Sequence, residues 1–159
     1  MTPTERLVLE RARVGHLATA DANARPHAVP ICFALCTIDG DDEDTDRARL
    51  VSAIDEKPKS TTDLRRVRDV RENPRVAVVV DRYDEDWSRL AWVQVRGRAA
   101  ELAPTDPGHE AAVAALRSKY QQYENHVLEE RPVIEIRVGR VVSWGALEEW
   151  AAVADDGDF

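Results

Sequence analysis

The sequence predicts an α+β protein, mainly β, in which six strands pair antiparallel and close into a small barrel. Short runs of alternating or β-branched apolar residues recur along the chain, with turn residues between them. Most runs follow one another directly, as antiparallel neighbours do, and two helices are inserted, one after the third strand and one after the fifth. A closed sheet leaves no sticky edges, which favours the barrel. The predicted strands cover residues 14–20, 26–36, 47–53, 75–80, 90–102 and 132–143.

Composition and charge restrict the class of protein. The chain has 159 residues, of which 43% are hydrophobic, so we expect one domain over residues 1–147, followed by an acidic tail, 148–159, that frays. A net charge of -8 argues against nonspecific binding to nucleic acid or to a membrane surface. The sequence has neither a signal-peptide core nor a run of about 20 apolar residues, so we expect a soluble, cytoplasmic protein.

Two of the predicted helices are recognised by their caps and their periodicity. A short helix is expected near residues 3–12, where the hydroxyl of Thr2 or Thr4 can cap the first turn. Another opens at Asp106-Pro107. Four residues of this helix have the spacing of a buried stripe, which predicts a place in the core rather than against a cofactor. They are Val113, Leu116, Tyr120 and Tyr123.

The cysteines, histidines and acidic residues predict neither a disulfide nor a metal site. Cys32 and Cys36 lie in one predicted strand, where side chains four apart are about 13 Å from each other, so both are expected to be buried free thiols. Neither they nor the four histidines have a recognisable zinc spacing. Residues 39–46 include six acidic residues, but a calcium-loop motif with a terminal glutamate is missing, so a solvated turn is expected.

The segment from Lys57 to Arg75 is cationic in an otherwise acidic chain. It holds two of the three lysines and has seven basic residues against three acidic ones. Ser60 with Asp63 predicts a helix N-cap and capping box, which places Lys57 and Lys59 just ahead of free backbone N–H groups. Such an arrangement is typical of a phosphate site. This helix is expected to pack through Leu64, Val67 and Val70.

Five short motifs occur in a characteristic order along the chain. They are Gly15 to Thr19, Arg25 to Pro30, Lys57 to Lys59, Asn73 to Val76 and Val95 to Ala99. In this order and spacing they resemble the pyridoxamine 5'-phosphate oxidase-like flavoproteins, and the resemblance covers nearly the whole chain. The stretch from Asp81 to Ser88 looks like the actinobacterial branch of probable F420-dependent oxidoreductases within that superfamily.

The resemblance implies a six-stranded antiparallel split β-barrel of Greek-key type, the FMN-binding fold, assembled as a homodimer. A flavin, or the 5-deazaflavin coenzyme F420, would lie in a groove at each of two equivalent subunit interfaces. The strand that lines the isoalloxazine ring through its backbone groups would be Val29, Pro30, Ile31 and Cys32. The strand end beside it would be Ser52, Ala53, Ile54 and Asp55.

The resemblance also implies basic ligands for the cofactor phosphate, and two pairs fit. In the oxidases an Arg-Lys pair precedes the Asn-Pro-Arg-Val motif at a distance that falls here on Arg65 and Arg66. Lys57 and Lys59 lie farther upstream, in what looks like a short insertion. Because F420 has both a phosphodiester and a polyanionic glutamyl tail, both pairs can contribute.

Residues near the strand ends are further candidates. Trp87 and Trp144 can pack on a ring or cover a barrel mouth, and Asp81 and Tyr83 can reach the polar end of the cofactor. His27 has a catalytic appearance, but an alternating strand can place it on the outer face. Hydride transfer is the cofactor's own chemistry and requires no general base, so we assign no catalytic residue.

The function implied first is an F420-dependent reductase that passes a hydride from reduced deazaflavin to a small organic acceptor. The alternatives are an FMN-dependent oxidase or reductase of the same fold and a deazaflavin-binding protein without turnover. Vitamin B6 oxidation is disfavoured because the residues needed to hold pyridoxamine phosphate are not identifiable. A nucleic-acid contact through the basic helix is opposed by the acidic loop and tail and by the lack of a wider basic face.

Overall fold

The computed structural model describes residues 1–37, 48–54 and 64–152. In this part of the chain seven strands form one sheet, accompanied by four α-helices. The strands are β1 (Gly15–Ala20), β2 (Pro26–Ile31), β3 (Ala34–Cys36), β4 (Arg49–Ala53), β5 (Arg75–Arg82), β6 (Ala91–Leu102) and β7 (Val133–Gly145). The helices are α1 (Pro3–Arg11), α2 (Arg65–Glu72), α3 (His109–Lys119) and α4 (Leu147–Ala152). None of these helices has the length and apolar composition that a bilayer-spanning segment requires.

The sheet is antiparallel and has the order β2-β1-β5-β6-β7-β4-β3. Its two edge strands, β2 and β3, are joined by two residues alone, Cys32 and Phe33. The sheet must therefore curl until its edges approach each other, which gives a barrel with a gap between β2 and β3. This confirms the predicted mainly β, antiparallel split barrel. The strand count is seven rather than six because the predicted strand 26–36 breaks at the crossing between the two edges.

Two buried side chains hold that crossing. The Tyr120 hydroxyl accepts a hydrogen bond from the Phe33 N–H at 2.9 Å, and the Ser52 hydroxyl donates to the Cys32 carbonyl at 2.8 Å. Backbone groups between β2 and β3, outside the sheet's hydrogen bonds, thus form hydrogen bonds with side chains. Burial raises the pKa of Tyr120 to about 12, so its hydroxyl stays protonated at neutral pH.

The core has two parts, one on each face of the sheet. Inside the barrel, side chains such as Leu17, Val78 and Ile134 are fully buried and pack with α1 and α4. Outside, α3 packs across β3, β4 and β7. The predicted stripe of α3 and the turn after it is confirmed as core, since Val113, Leu116, Tyr120 and Tyr123 are all buried.

A β-bulge interrupts the longest strand pair. The β6–β7 register shifts between Arg96 and Gly97. A Cβ on Gly97 would overlap the main-chain oxygen of Arg137, so a glycine is required for this close approach. The extra residue lies in β7, where Arg96 pairs with Arg140 and Gly97 pairs with Val138, which leaves Gly139 between them.

The ends of three helices test the predicted caps. Thr2, one of the two predicted candidates, caps α1, and it does so in a capping box with Glu5. The predicted start of α2 is wrong, because the helix begins at Arg65 and the N-cap is Leu64, which makes no side-chain hydrogen bond. Ser60 and Asp63 lie outside the described residues. Helix α3 begins at His109, after Gly108 with a φ of 86°.

The prediction that the chain frays from residue 148 is wrong for residues 148–152, and residues 153–159 lie outside the described residues. Residues Leu147–Ala152 form α4, and Trp150 is 3% exposed in the inner core. Helix α4 packs against α1, where the Arg11 side chain donates to the Ala151 carbonyl. A single large aromatic side chain therefore outweighs the acidic composition of this stretch.

Candidate functional site

Within the described residues, the outer face of the sheet is covered by α3 over β3 and β4 and is uncovered over β1, β2 and β5. Outer residues of β4 and β7, such as Val51 and Val133, are buried under α3. On β1, β2 and β5 the outer residues are exposed or half-buried. The cross-strand register aligns small and apolar side chains there, and we call this surface the open face. It comprises Ala18, Ala28, Pro30, Ala77, Val79 and Val142.

One end of the open face is aromatic. Asp81 pairs with Trp92, and Trp92 pairs with Trp144, so these three side chains stand in one row across β5, β6 and β7. Tyr83 and Trp87 follow in the connection after β5 and are 68% and 72% exposed. The structure therefore brings Asp81, Trp144 and their neighbours to one end of the sheet. Trp144 lies on the outer face, 54% exposed, rather than over a barrel mouth.

The aromatic row adjoins β2 through His16. His16 pairs with Pro30 across the β1–β2 register, and its Nδ1 lies 3.8 Å from Oδ1 of Asp81. The two groups of predicted site residues, on β2 and after β5, are therefore neighbours on one face. Neither His16 nor Trp92 is among the predicted site residues, although the first lies in the motif from Gly15 to Thr19 and the second alternates with buried valines.

Strand β2 has a free edge. In the described part of the chain it pairs with β1 alone, so alternate backbone groups between Val29 and Ile31 face away from the sheet. Pro30 is exposed, Val29 is half-buried and Ile31 is buried. The Cys32 carbonyl is already occupied, because it accepts a hydrogen bond from the Ser52 hydroxyl. Backbone groups of residues 29–31 are thus the ones available to the edge of a planar ring.

The residues at the end of β4 are largely buried, so they hold the neighbouring strand in place rather than line the site. Ser52 and Ala53 are 1% and 3% exposed, and Ile54 is half-buried. The Ser52 hydroxyl is used in the bond to Cys32, so it ties the end of β4 to the end of β2. Asp55 lies outside the described residues, as do Lys57 and Lys59.

Helix α2 places one of its two candidate arginines against a buried carboxylate. Asp69 is 3% exposed and accepts a hydrogen bond from the Thr19 hydroxyl at 2.7 Å. Nε of Arg65 lies 3.9 Å from Oδ2 of Asp69. Nδ1 of His27 lies 3.7 Å from the same oxygen. His27 therefore faces α2 at the barrel end, and the expectation of an outer position for it is wrong. Nε of Arg66 is buried and has no hydrogen-bond partner among the described residues.

Neither a disulfide nor a metal centre occurs in the described ranges. Cys32 and Cys36 form no disulfide with each other, and both are half-buried rather than buried as predicted. Burial, with a smaller effect of Glu135, raises the pKa of Cys36 to about 11, so its thiol is neutral at physiological pH. No group of three or more metal-ligating side chains comes together within residues 1–37, 48–54 and 64–152.

Comparisons with known proteins agree with this architecture. The family model described as pyridoxamine 5'-phosphate oxidase matches residues 1–145. No protein of curated function matches the chain in sequence. A FAD-binding protein from Mesorhizobium loti is 26% identical with a TM-score of 0.59, and the match covers 90% of this chain and 94% of that one.

Two further solved structures share the fold at lower identity. A protein of unknown function from Agrobacterium tumefaciens is 19% identical with a TM-score of 0.63; the match covers 89% of this chain but 55% of that longer chain. The heme storage protein HutZ from Vibrio cholerae is 12% identical with a TM-score of 0.60, and the match covers 89% of this chain and 90% of that one. These similarities show the fold and leave the ligand to be argued from the site.

Proposed function

Because the chain belongs to the pyridoxamine 5'-phosphate oxidase family, we propose that it is an oxidoreductase that binds coenzyme F420 along β2 and reduces a small organic acceptor. The deazaflavin supplies the hydride when it is bound. The protein binds and orients the ring and excludes water from it. FMN is the alternative cofactor, and the FAD-binding structural relative supports a flavin-type ligand in general.

One observation supports the position of the phosphate. Nε of Arg66 is buried without a hydrogen-bond partner among the described residues, although a guanidinium is a strong donor. A buried donor that lacks a partner is costly, so an anion that occupies this position would be stabilised. Arg66 lies in α2, which contacts β1, the neighbour of β2. The phosphate of a ring bound along β2 fits here, and Lys57 and Lys59 precede the same helix in sequence.

The open face supports a homodimer. A row of small and apolar side chains, bordered by the exposed Trp87 and Trp144, is the kind of surface that a second subunit covers. A two-fold axis would place this face against its own copy and enclose the free edge of β2. Ala77→Glu at the centre of the face should convert the dimer to a monomer in light scattering.

Turnover separates an enzyme from a binding protein. We expect reduced F420, mixed anaerobically with the protein, to be reoxidised by at least one quinone or unsaturated carbonyl in a broad acceptor panel. Arg66→Ala should raise the KM for reduced F420 about tenfold, the effect of one lost charged hydrogen bond, and leave kcat nearly unchanged. Arg117→Ala on α3 is the matched control. Tight binding without reoxidation by any acceptor would instead show a non-catalytic deazaflavin-binding protein.

A heme-binding function is the second candidate, and His16 favours it. Its side chain is 56% exposed on the open face, between Pro30 and Val79. An exposed imidazole with apolar neighbours can ligate heme iron. A hemin titration that gives a saturable Soret shift in the wild type, lost in His16→Ala, would support heme. If saturating hemin does not impair F420 binding, the two ligands bind at different sites.

A further inference from the structure

Six arginines meet on the outer face of the sheet, in two neighbouring rows. The first row crosses four adjacent strands in register, one arginine from each. The second row lies beside it, across β6 and β7. We call these residues the arginine band. The first row is Arg75, Arg98, Arg137 and Arg49, and the second is Arg96 and Arg140.

The bulge creates the second row. Residues two apart on a strand share a face, so Arg137 and Arg140, three apart, would normally point to opposite faces. The extra residue Gly139 restores the phase, and Arg140 pairs with Arg96 on the outer face. The band therefore depends on a specific backbone irregularity and does not follow from composition alone.

Like charges directly opposite each other on neighbouring strands are unfavourable, and the band contains several such arginine pairs. Cα atoms in such pairs are about 5 Å apart, so the first row spans about 14 Å. One carboxylate lies within the band. Glu135, 5% exposed, is 3.0 Å from Nε of Arg49 and 3.7 Å from Nε of Arg137.

The remaining arginines lack such compensation. No carboxylate of the described residues forms an ion pair with Arg75, Arg98 or Arg140, and all three are exposed. Nε of Arg96 donates to the Gln94 side chain at 2.7 Å, which is a neutral partner. The protein thus concentrates positive charge on one small surface while its net charge is -8.

The residue type and the charge density indicate the ligand chemistry. Every cation of the band is an arginine, although the chain contains lysines, and the planar guanidinium matches phosphate oxygens in bidentate fashion. A phosphoryl group brings up to two negative charges and three acceptor oxygens, whereas a carboxylate brings one charge. A long polyanion such as nucleic acid would meet the acidic remainder of the protein. We propose that the arginine band binds the polyphosphate group of a small molecule.

This site is distinct from the phosphate position proposed above. Helix α2, with Arg66, packs through Val67 and Val70 into the inner core at the barrel end. The band lies on the outer face of β5, β6, β7 and β4. The band borders the open face, since Arg96 pairs with Ala77, but it shares no residue with α2, so the two phosphate sites can be tested separately.

Calorimetric titration with inorganic triphosphate tests the proposal. We expect saturable binding whose affinity falls with salt, and a loss of about 10- to 100-fold in the double variant Arg98→Gln with Arg140→Gln. Both residues are exposed, so the variant should keep or raise the melting temperature, because repulsion is removed. Arg117→Gln is the matched control for loss of an arginine elsewhere.

Several results would overturn the proposal. Absence of triphosphate binding, or equal binding by the double variant, would each contradict the assignment of polyphosphate binding to the arginine band. Citrate that binds as tightly as triphosphate would show a carboxylate site, and tighter binding of duplex DNA would show a nucleic-acid surface. Binding that requires replacement of the acidic residues in 39–46 by their amides would show that the chain's own acidic stretch occupies the band.

Discussion

Lys119 at the end of α3 should make folding stability depend on pH in an unusual direction. Its Nζ donates to the Leu9 carbonyl at 2.9 Å and lies 3.9 Å from the centre of the Phe33 ring. Burial, with a smaller contribution from nearby Arg13, lowers the pKa of Lys119 from 10.5 to about 7. Between these values the unfolded chain binds the proton and the native protein does not. The free energy of unfolding therefore rises with pH, and the cost of the buried charge is complete below pH 7.

The magnitude follows from the pKa difference and from the contact that opposes it. Two pH units above the native pKa correspond to about 2.7 kcal/mol. The cation–π contact with Phe33 favours the charged form by about 1 kcal/mol and so reduces the effect. Relative to a variant without a titrating group at this position, we expect the wild type to gain about 2 kcal/mol of unfolding free energy between pH 6.5 and pH 9.

Urea unfolding at several pH values measures this gain. In Lys119→Met the rise of unfolding free energy with pH that this residue causes should disappear. The variant should be more stable than the wild type at pH 6.5. Lys119→Arg, which stays charged, should also lose the slope but remain at the lower stability. Parallel curves for the wild type and Lys119→Met across the whole pH range would refute the argument that burial lowers this pKa.

Three further predictions test the packing. Gly97→Ala should destabilise the protein by about 2–3 kcal/mol, because its Cβ would overlap the main-chain oxygen of Arg137. Gly139→Ala is the control. Its Cβ would lie 3.4 Å from the Arg96 oxygen, so the urea midpoint should change little. Trp150→Ala should cost about 3–5 kcal/mol and increase hydrogen exchange in α1, and an unchanged midpoint would contradict its place in the core. Tyr120→Phe should cost about 1–3 kcal/mol by leaving the Phe33 N–H without its partner, and full stability would show that this bond is dispensable.

Local patterns predicted much of the fold because local physics determines those parts. Alternating apolar residues identified the long strand through Gly97, and the threonine at the start of α1 identified its cap. The break between β2 and β3 was not predicted because its partners are remote. Ser52 is 20 residues from Cys32 and Tyr120 is 87 residues from Phe33, and no local signal marks either bond.

The acidic end of the chain shows the same limit. Composition alone predicts a fraying tail, since the stretch has charges and little periodicity. Trp150 reverses this because it fills a place in the inner core beside α1, which lies at the other end of the sequence. Tertiary burial of one aromatic side chain therefore decides the structure of residues Leu147–Ala152.

The candidate site was predicted as separate residues and not as a surface. The motif order identified β2, α2 and the stretch after β5 as separate segments. Their meeting depends on the register, which pairs Asp81 with Trp92 and Trp92 with Trp144. The arginine band depends on the register too, and on the bulge at Gly139, so neither alternation nor charge counting could identify it.

Fluorescence-quenching titration with F420 beside FMN tests the central proposal most directly. We expect F420 to saturate the wild-type protein at lower concentration than FMN does, and Arg66→Ala to weaken F420 binding about tenfold without a change in the unfolding midpoint. Tighter binding of FMN, or no saturation by either cofactor, would contradict the assignment of this split barrel as a deazaflavin oxidoreductase.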